Sequence, residues 1–217
     1  MAHLYYTNIQ DIRDKNCIND FRKLVSKERL SQLDKFYFKE DYLRSLLGEV
    51  IIRKKVAEFT GIKPEAVELY KNICGKPFII NVPDIYFNIS HSGNWVVCLL
   101  AENPCGVDIE KILEMHMDIA QYFFSKYEYE FLQKADKRLQ KELFYELWTL
   151  KESFVKYNGK GFYMPLNSFE FIKIGNIWEL RQVDDQNLFF KQPFIAEEYK
   201  VAVCIQREKL FFEKLIL

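Results

Sequence analysis

Glycine is scarce in this chain, 8 of 217 residues, against 19 Phe and 13 Tyr. That balance excludes a collagen-like, linker-like or low-complexity protein. No Pro/Gly/Ser-rich stretch interrupts the sequence either, so its parts meet at a tight interface and not across a loose linker. A basic excess is also missing, with Lys plus Arg at 31 and Asp plus Glu at 31. Nucleic-acid binders draw much of their affinity from neutralising phosphates, so a neutral chain argues against that class. Any anion site must be local, built from a few converging cations. The five cysteines contain no C-x-x-C pair, which predicts reduced, mostly buried thiols in a cytoplasmic protein. His3, His91 and His116 offer no spacing for a Cys/His zinc site. Met1-Ala2-His3-Leu4-Tyr5 lacks the basic flank and apolar run of a signal peptide. The longest apolar run, Trp95 to Ala101, falls far short of the ~20 residues of a membrane span. The expectation is a cytoplasmic protein with neither nucleic acid nor membrane as partner.

What the chain does have is the balance of a folded protein, 49% hydrophobic and 29% charged, with length for one large domain or two small ones. Apolar residues recur at helical spacing from Ile18 to Phe38. From Lys39 onward, Leu43, Leu46, Leu47, Val50 and Ile51 form one stripe that Gly61 terminates. Pro64 suits the first turn of a short helix. The period then changes. Gly75-Lys76-Pro77 is a turn, and Tyr86 to Ser90 and Trp95 to Ala101 read as strands around a hairpin loop, His91-Ser92-Gly93-Asn94. A third strand, Cys105 to Glu110, follows the turn at Asn103-Pro104. The order then repeats, with helices from about Asp118 to Leu132 and from Lys137 to Asn158. Strands follow at 169–174, 177–180, 188–190, 199–205 and 210–212. Helices then antiparallel strands, twice over, predict an α+β protein of two similar halves, 1–103 and 104–217. Each half packs its helices on a small antiparallel sheet.

Asp108 and Glu110 stand at i and i+2 of an otherwise apolar strand, so both carboxylates lie on one face, about 7 Å apart at the backbone. A solvated strand face is one reading of such a pair; the other is a set of hard oxygen ligands of the kind Mg²⁺ favours. In the last long helix Leu139, Leu143, Leu147, Leu150 and Phe154 share one sector. Tyr145, Trp148, Thr149, Glu152 and Lys156 fall nearly opposite. Aromatic residues beside a Glu/Lys pair predict that this second sector faces the other half of the protein. The alternative is an exposed i,i+4 ion pair, worth only ~0.3–0.5 kcal/mol. Ser90-His91-Ser92 lacks the nucleophile elbow G-x-S-x-G, and adjacent Ser and His rarely meet as nucleophile and base. A histidine beside hydroxyls and near Lys76 fits anion binding better. Arg44, next to the apolar stripe of its helix, requires an anionic partner.

These segments together carry a resemblance. Gly75-Lys76-Pro77-Phe78-Ile79, Phe87-Asn88-Ile89-Ser90-His91-Ser92, Gly106-Val107-Asp108-Ile109-Glu110 and Trp148-Thr149-Leu150-Lys151-Glu152-Ser153 come in the order found in 4′-phosphopantetheinyl transferases of the Sfp type. Phe36-Tyr37, Lys39-Glu40-Asp41 and Arg44-Ser45-Leu46-Leu47-Gly48 resemble that family's early helix, and Phe123-Phe124-Ser125 with Glu128 its F-F-S-x-x-E element. The matches span about Ser26 to Lys160 and extend more weakly through Tyr199 to Val203. The resemblance implies an enzyme that moves phosphopantetheine from coenzyme A to a serine of an apo peptidyl or acyl carrier protein, releasing 3′,5′-ADP. It implies a monomer of two pseudo-twofold-related halves with the active site between them. By matching motif, Asp108, Glu110 and Glu152 would bind Mg²⁺ or Mn²⁺, with Glu152 also the base. Lys156 would contact a coenzyme A phosphate, and Arg44, Lys76, Ser90 and His91 would hold the nucleotide with its 3′-phosphate. Arg29 matches a basic position of the first helix, whereas Gln32 and Asp34 stand where the family often has further cations.

The implied chemistry has the carrier serine attack the β-phosphorus while Glu152 accepts its proton. Lys156 and Lys151 would stabilise charge on the leaving phosphate. The nucleophile belongs to the partner, which accounts for the lack of a triad. Another Mg²⁺-dependent nucleotide phosphotransferase is the rival enzyme, but no Walker A segment or kinase glycine loop is present. A binding module without catalysis is the non-enzyme rival. Three carboxylates facing an anionic ligand serve no purpose in pure binding. A carrier would dock on a hydrophobic surface near Phe123, Phe124 and the segment 159–169.

Overall fold

The computed structural model describes residues 1–12, 15–115, 117–181 and 187–216; His116 lies outside them. The chain opens with β1 (Ala2–Asn8), followed by α1 (Lys15–Lys23), α2 (Lys27–Leu33) and the long α3 (Lys39–Thr60). A small hairpin, β2 (Leu69–Lys71) and β3 (Pro77–Ile79), precedes β4 (Tyr86–Ser92) and β5 (Trp95–Ala101). Then come β6 (Gly106–Lys111), α4 (Met117–Phe123), α5 (Lys126–Lys134) and α6 (Lys137–Asn158). The last strands are β7 (Glu170–Ile174), β8 (Ile177–Arg181), β9 (Leu188–Lys191), β10 (Tyr199–Gln206) and β11 (Leu210–Lys214). The fold is α+β, as the alternating periods predict.

Two of the expected helices are each two. Ile18 to Phe38 breaks where the Ser26 side chain accepts the Arg29 N–H and starts α2. Asp118 to Leu132 breaks at a capping box, in which Ser125 and Glu128 satisfy each other's backbone N–H. Both breaks follow from serine offering an N-terminal donor a better acceptor than a continuing helix does. The hairpin is also tighter than expected. His91 and Ser92 belong to β4, leaving Gly93-Asn94 as a two-residue turn. Gly93 has φ +53°, and a Cβ there would run into the Tyr199 hydroxyl.

The first sheet has the order β11-β1-β5-β4 and the second β6-β10-β9. β1 is a strand that the hydrophobic pattern alone does not announce. It lies antiparallel to β5 and parallel to β11, so a late strand is laid on the early sheet. Each central strand is buried on both sides. On β5, Val96, Cys98 and Leu100 face α3, whereas Val97, Leu99 and Ala101 meet Val107, Ile109, Val201 and Val203 of the second sheet. On β10, Ala202 and Cys204 face the α6 core, and Val201, Val203 and Ile205 turn to the core shared with β5. Full burial of such a side chain contributes roughly 1.5–3 kcal/mol.

β6 breaks this pattern in a way that makes the site. Its α6-facing positions are Gly106, Asp108 and Glu110, with no apolar side chain among them. A Cβ at Gly106 would lie 2.0 Å from the Ser153 carbonyl oxygen and 2.4 Å from the Tyr157 nitrogen. Strand and helix backbones touch there, and the two carboxylates follow at period two. α3 and α6 are both 22 residues long and both end on a left-handed glycine, Gly61 and Gly159.

Candidate active site

The edge strands β4 and β6, one from each sheet, are joined by side chains. Asn88 Oδ1 accepts the Val107 N–H at 2.9 Å, Ser90 Oγ the Ile109 N–H at 3.3 Å and Ser92 Oγ the Lys111 N–H at 3.0 Å. Residues at i, i+2 and i+4 of β4 thus meet alternate N–H groups of β6. The two serine hydroxyls pass the contact on. Ser90 Oγ donates to Asp108 Oδ1 and Ser92 Oγ to Glu110 Oε2, each at 2.9 Å.

Asp108 is buried, with 3% exposure. Its Oδ1 also accepts from Lys156 Nζ at 2.7 Å, while Oδ2 is buried with no partner. Lys156 Nζ donates to Ser90 Oγ as well, at 2.9 Å. Lys156 therefore reaches across to β6 and β4, which decides against the exposed ion pair with Glu152. Burial raises the Glu110 carboxyl to about 7, assisted by the Asp108 charge and opposed by Ser92 and Lys156. Burial also raises Glu152, again with Asp108 adding and Lys156 opposing. Glu110 and Glu152 thus both lie buried beside the Asp108 charge, a place short of positive charge. Among the described residues no group of three or more His, Cys, Asp or Glu side chains is drawn together as a ready cage. The donors are nonetheless all hard oxygens, and the buried Asp108 Oδ2 has a lone pair left without a hydrogen-bond partner. The set fits a hard dication that keeps several waters.

Two cavities meet at Glu152. The larger, about 1210 Å³, runs along α2 and the middle of α3 to Ser90, His91, Asp108, Glu110 and Lys156. The other, about 600 Å³, is walled by Tyr122, Phe123, Met164 and Pro165. Trp148, Glu152 and Lys156 line both. The second sector of α6 thus forms the wall between the halves, as its composition predicts. At the N-terminus of that helix Leu139 is exposed, because the first turn projects beyond the core.

Several of the expected ligand residues are bonded to protein groups. Lys151 does not reach the cleft: it is fully buried, and its Nζ donates to the carbonyls of Leu166 and Phe169 and pairs with Glu128 at 2.8 Å. One residue from Glu152 is ~100° round the helix, which turns this lysine into the α5–β7 core. Lys76 lines the smaller cavity, but its ammonium donates to the carbonyls of Cys105, Lys156 and Tyr157. It ties down the carbonyl end of α6, where a cation is favoured, and burial lowers its pKa. Arg44 lies behind the turn, bonded to the Gly93 carbonyl at 2.6 Å and to Asp41. His91 does line the larger cavity; desolvation first, then the Arg44 and Lys156 charges, lower its pKa. Arg29 reaches that cavity too, held by Glu49 at 2.9 Å and Ser45 at 2.8 Å. Glu49 also grips the buried Arg53. Sequence reasoning missed that Arg29–Glu49–Arg53 cluster, although two charges inside an apolar helix run were its signal. Ser92, the partner of Glu110, was missed as well.

Two family models match adjoining stretches of the chain: "4′-phosphopantetheinyl transferase, N-terminal" over residues 15–103 and "4′-phosphopantetheinyl transferase superfamily" over residues 104–204. A 4′-phosphopantetheinyl transferase of Bacillus subtilis is 42% identical over 83% of this chain and 81% of that protein. The chain belongs to the 4′-phosphopantetheinyl transferase superfamily. It is an enzyme, transferring phosphopantetheine to apo carrier proteins. The 4′-phosphopantetheinyl transferase gsp of Aneurinibacillus migulanus is 38% identical over 94% of this chain and 86% of its own. The Sfp protein of Bacillus subtilis strain 168 is 38% identical, over 85% and 83%. These relatives agree with the Sfp-type motifs in the sequence. A solved holo-[acyl-carrier-protein] synthase of Thermotoga maritima overlaps 49% of this chain and 64% of its own, at 16% identity and a TM-score of 0.41. Among the described residues no helix of this transferase is long and apolar enough to cross a membrane.

Proposed function

We propose that this transferase takes its phosphopantetheine from coenzyme A with Mg²⁺, or Mn²⁺, held by Asp108, Glu110 and Glu152. The observation that carries this reading is the buried, unpartnered Asp108 Oδ2 on the larger cavity, beside two carboxylates of raised pKa, one of which, Glu152, lines both cavities. The larger cavity takes the nucleotide, with His91 and Arg29 on its wall. The smaller, apolar one takes the pantetheine arm and the carrier's serine, with Tyr122 and Phe123 at the docking side. When bound, the dication neutralises phosphate charge and polarises the P–O bonds. Glu152 accepts the serine proton, directly or through water, and burial beside the Asp108 charge makes it a stronger base than a free carboxylate. As the serine Oγ–P bond forms, the bond from phosphorus to the 5′-phosphate oxygen of 3′,5′-ADP breaks. Lys156 turns its ammonium from Asp108 to the departing phosphate.

Arg44 and Lys76 act in this reading as struts of the nucleotide wall, and Lys151 as a strut of the apolar one. The halves divide at 103/104, the place where the two matched family models abut. The enzyme works as a cytoplasmic monomer, since one chain supplies both walls; a stable oligomer in light scattering would contradict this. The function is tested by incubating apo carrier domains with coenzyme A and Mg²⁺ and weighing them. A gain of one phosphopantetheine, lost with EDTA and restored by Mg²⁺, is expected. Modification undiminished by EDTA overturns the metal reading, and unmodified carriers in Mg²⁺ overturn coenzyme A as donor.

A further inference from the structure

Ser92 lies outside every ligand contact assigned above, yet its hydroxyl has two defined partners. It accepts the Lys111 N–H at 3.0 Å and donates to Glu110 Oε2 at 2.9 Å. Because the backbone N–H takes a lone pair of the oxygen, the hydroxyl proton is directed at the carboxylate. The strand β4 that carries Ser92 belongs to the first sheet, and Glu110 to the second. We infer that Ser92 is a positioning residue: it aims the Glu110 carboxylate at the metal position and makes that aim depend on the register of β4 against β6. The inference rests on the proposed role of Glu110 as a metal ligand.

The geometry contains its own control. Asn88, Ser90 and Ser92 are three rungs of one ladder, each accepting one N–H of β6. Ser90 continues to Asp108 and Ser92 to Glu110, whereas the Asn88 side chain meets β6 at Val107, which carries no carboxylate. If the ladder only stitches strands together, loss of the first and third rungs should have the same consequences. If Ser92 orients a ligand, only the third rung should be felt by the metal. Outer partners of metal ligands typically govern affinity by about 10- to 100-fold.

The experiment titrates the full chain with Mn²⁺, followed by the loss of the free-ion paramagnetic resonance signal. The same variants are compared in thermal unfolding without metal. Ser92→Ala is expected to weaken Mn²⁺ about 10-fold or more, Ser92→Thr to restore it, and Asn88→Ala to lower the melting temperature while leaving Mn²⁺ affinity at the wild-type value. In carrier modification, Ser92→Ala should need more Mg²⁺ but regain most of its turnover at saturation. Wild-type Mn²⁺ affinity in Ser92→Ala overturns the positioning role and leaves the metal site standing. An equal loss in Asn88→Ala also overturns it, in favour of strand stitching. Failure of the wild-type protein to bind Mn²⁺ overturns the metal site and this inference together.

Discussion

Glu152 and Lys156 sit one helical turn apart, yet their surroundings give them different tasks. Glu152 is crowded by the Asp108 charge, and Lys156 is drawn to it. Glu152→Gln keeps the size and removes the basic oxygen, so carrier modification at saturating Mg²⁺ should fall at least ~10²-fold. A drop of a few-fold with a shifted Mg²⁺ requirement would show a ligand that is not the base. The His91 ring lines the larger cavity, the one proposed for the nucleotide, with Arg44 behind the turn. A charge-assisted bond to the 3′-phosphate contributes ~1.5–3 kcal/mol. His91→Ala should therefore raise KM for coenzyme A by roughly 10- to 150-fold and leave dephospho-coenzyme A nearly untouched. An unchanged ratio between the two substrates would assign His91 to the hairpin alone. Lys151 marks the limit of reading single residues. It shares a motif with Glu152, but the chain does not say which way a helix will be turned.

Among the elements, α6 is the one on which the site is built, and its contacts explain which changes it tolerates. Gly106 lets β6 lie directly against its backbone. Gly106→Ala must separate strand and helix, because the atoms in the way are backbone and cannot rotate aside. A loss of about 3 kcal/mol or more in urea unfolding is expected. Glu146, on the same helix, gathers the strands that follow. It accepts from Trp178 Nε1 at 3.2 Å, Lys173 at 3.4 Å and Lys200 at 3.3 Å, joining β7, β8 and β10 to α6. Burial pushes its carboxyl up, but Trp178, Lys173 and Lys200 outweigh that and hold the pKa below the ordinary value of 4.5. A carboxyl depressed on folding contributes its stability above the unfolded pKa and loses it as pH falls through the folded one. Glu146→Gln should thus cost about 1–2 kcal/mol at pH 7, with the gap closing as the pH falls below the ordinary carboxylate value of 4.5. A gap that widens in acid would contradict the assignment.

Divided at 103/104 as proposed, the whole molecule cannot be separated into its two parts. One apolar cluster takes Leu4, Val97 and Leu99 from the first half and Val107, Ile109, Val201 and Val203 from the second. The serine and asparagine rungs cross the same boundary, and β11 returns to pair with β1. Unfolding in urea should be a single transition. Far-ultraviolet dichroism and tryptophan fluorescence should share a midpoint, although Trp95 reports one half and Trp148 and Trp178 the other. Two separated midpoints would show halves that stand alone. On the proposed roles, the carboxylates of β6 hold the metal and the serines of β4 aim them, so partial separation should abolish transfer before it abolishes helicity.

What the chain determines by itself is everything short in range. Period two places Asp108 and Glu110 on one face, period 3.6 brings Glu152 over Lys156, and Gly61 and Gly159 end the two long helices where the pattern stops. Ser125 and Glu128 carry their capping box in plain view, although a continuous apolar pattern conceals the break. The motifs that reveal the family are local for the same reason, since each is a run of residues whose spacing is already its geometry. Only the tertiary structure decides which surfaces meet. β1 shows no strand signature of its own and becomes one by pairing with residues about a hundred and two hundred positions away. Lys76 and Lys151 look like phosphate ligands in the sequence. Packing gives them to the carbonyls at the end of α6 and of the 166–169 segment, because unpaired carbonyls in a dry interior need a donor more than a distant phosphate does. Ser92 acquires its part only when two sheet edges come within hydrogen-bond reach, and no spacing along one strand encodes the strand beside it.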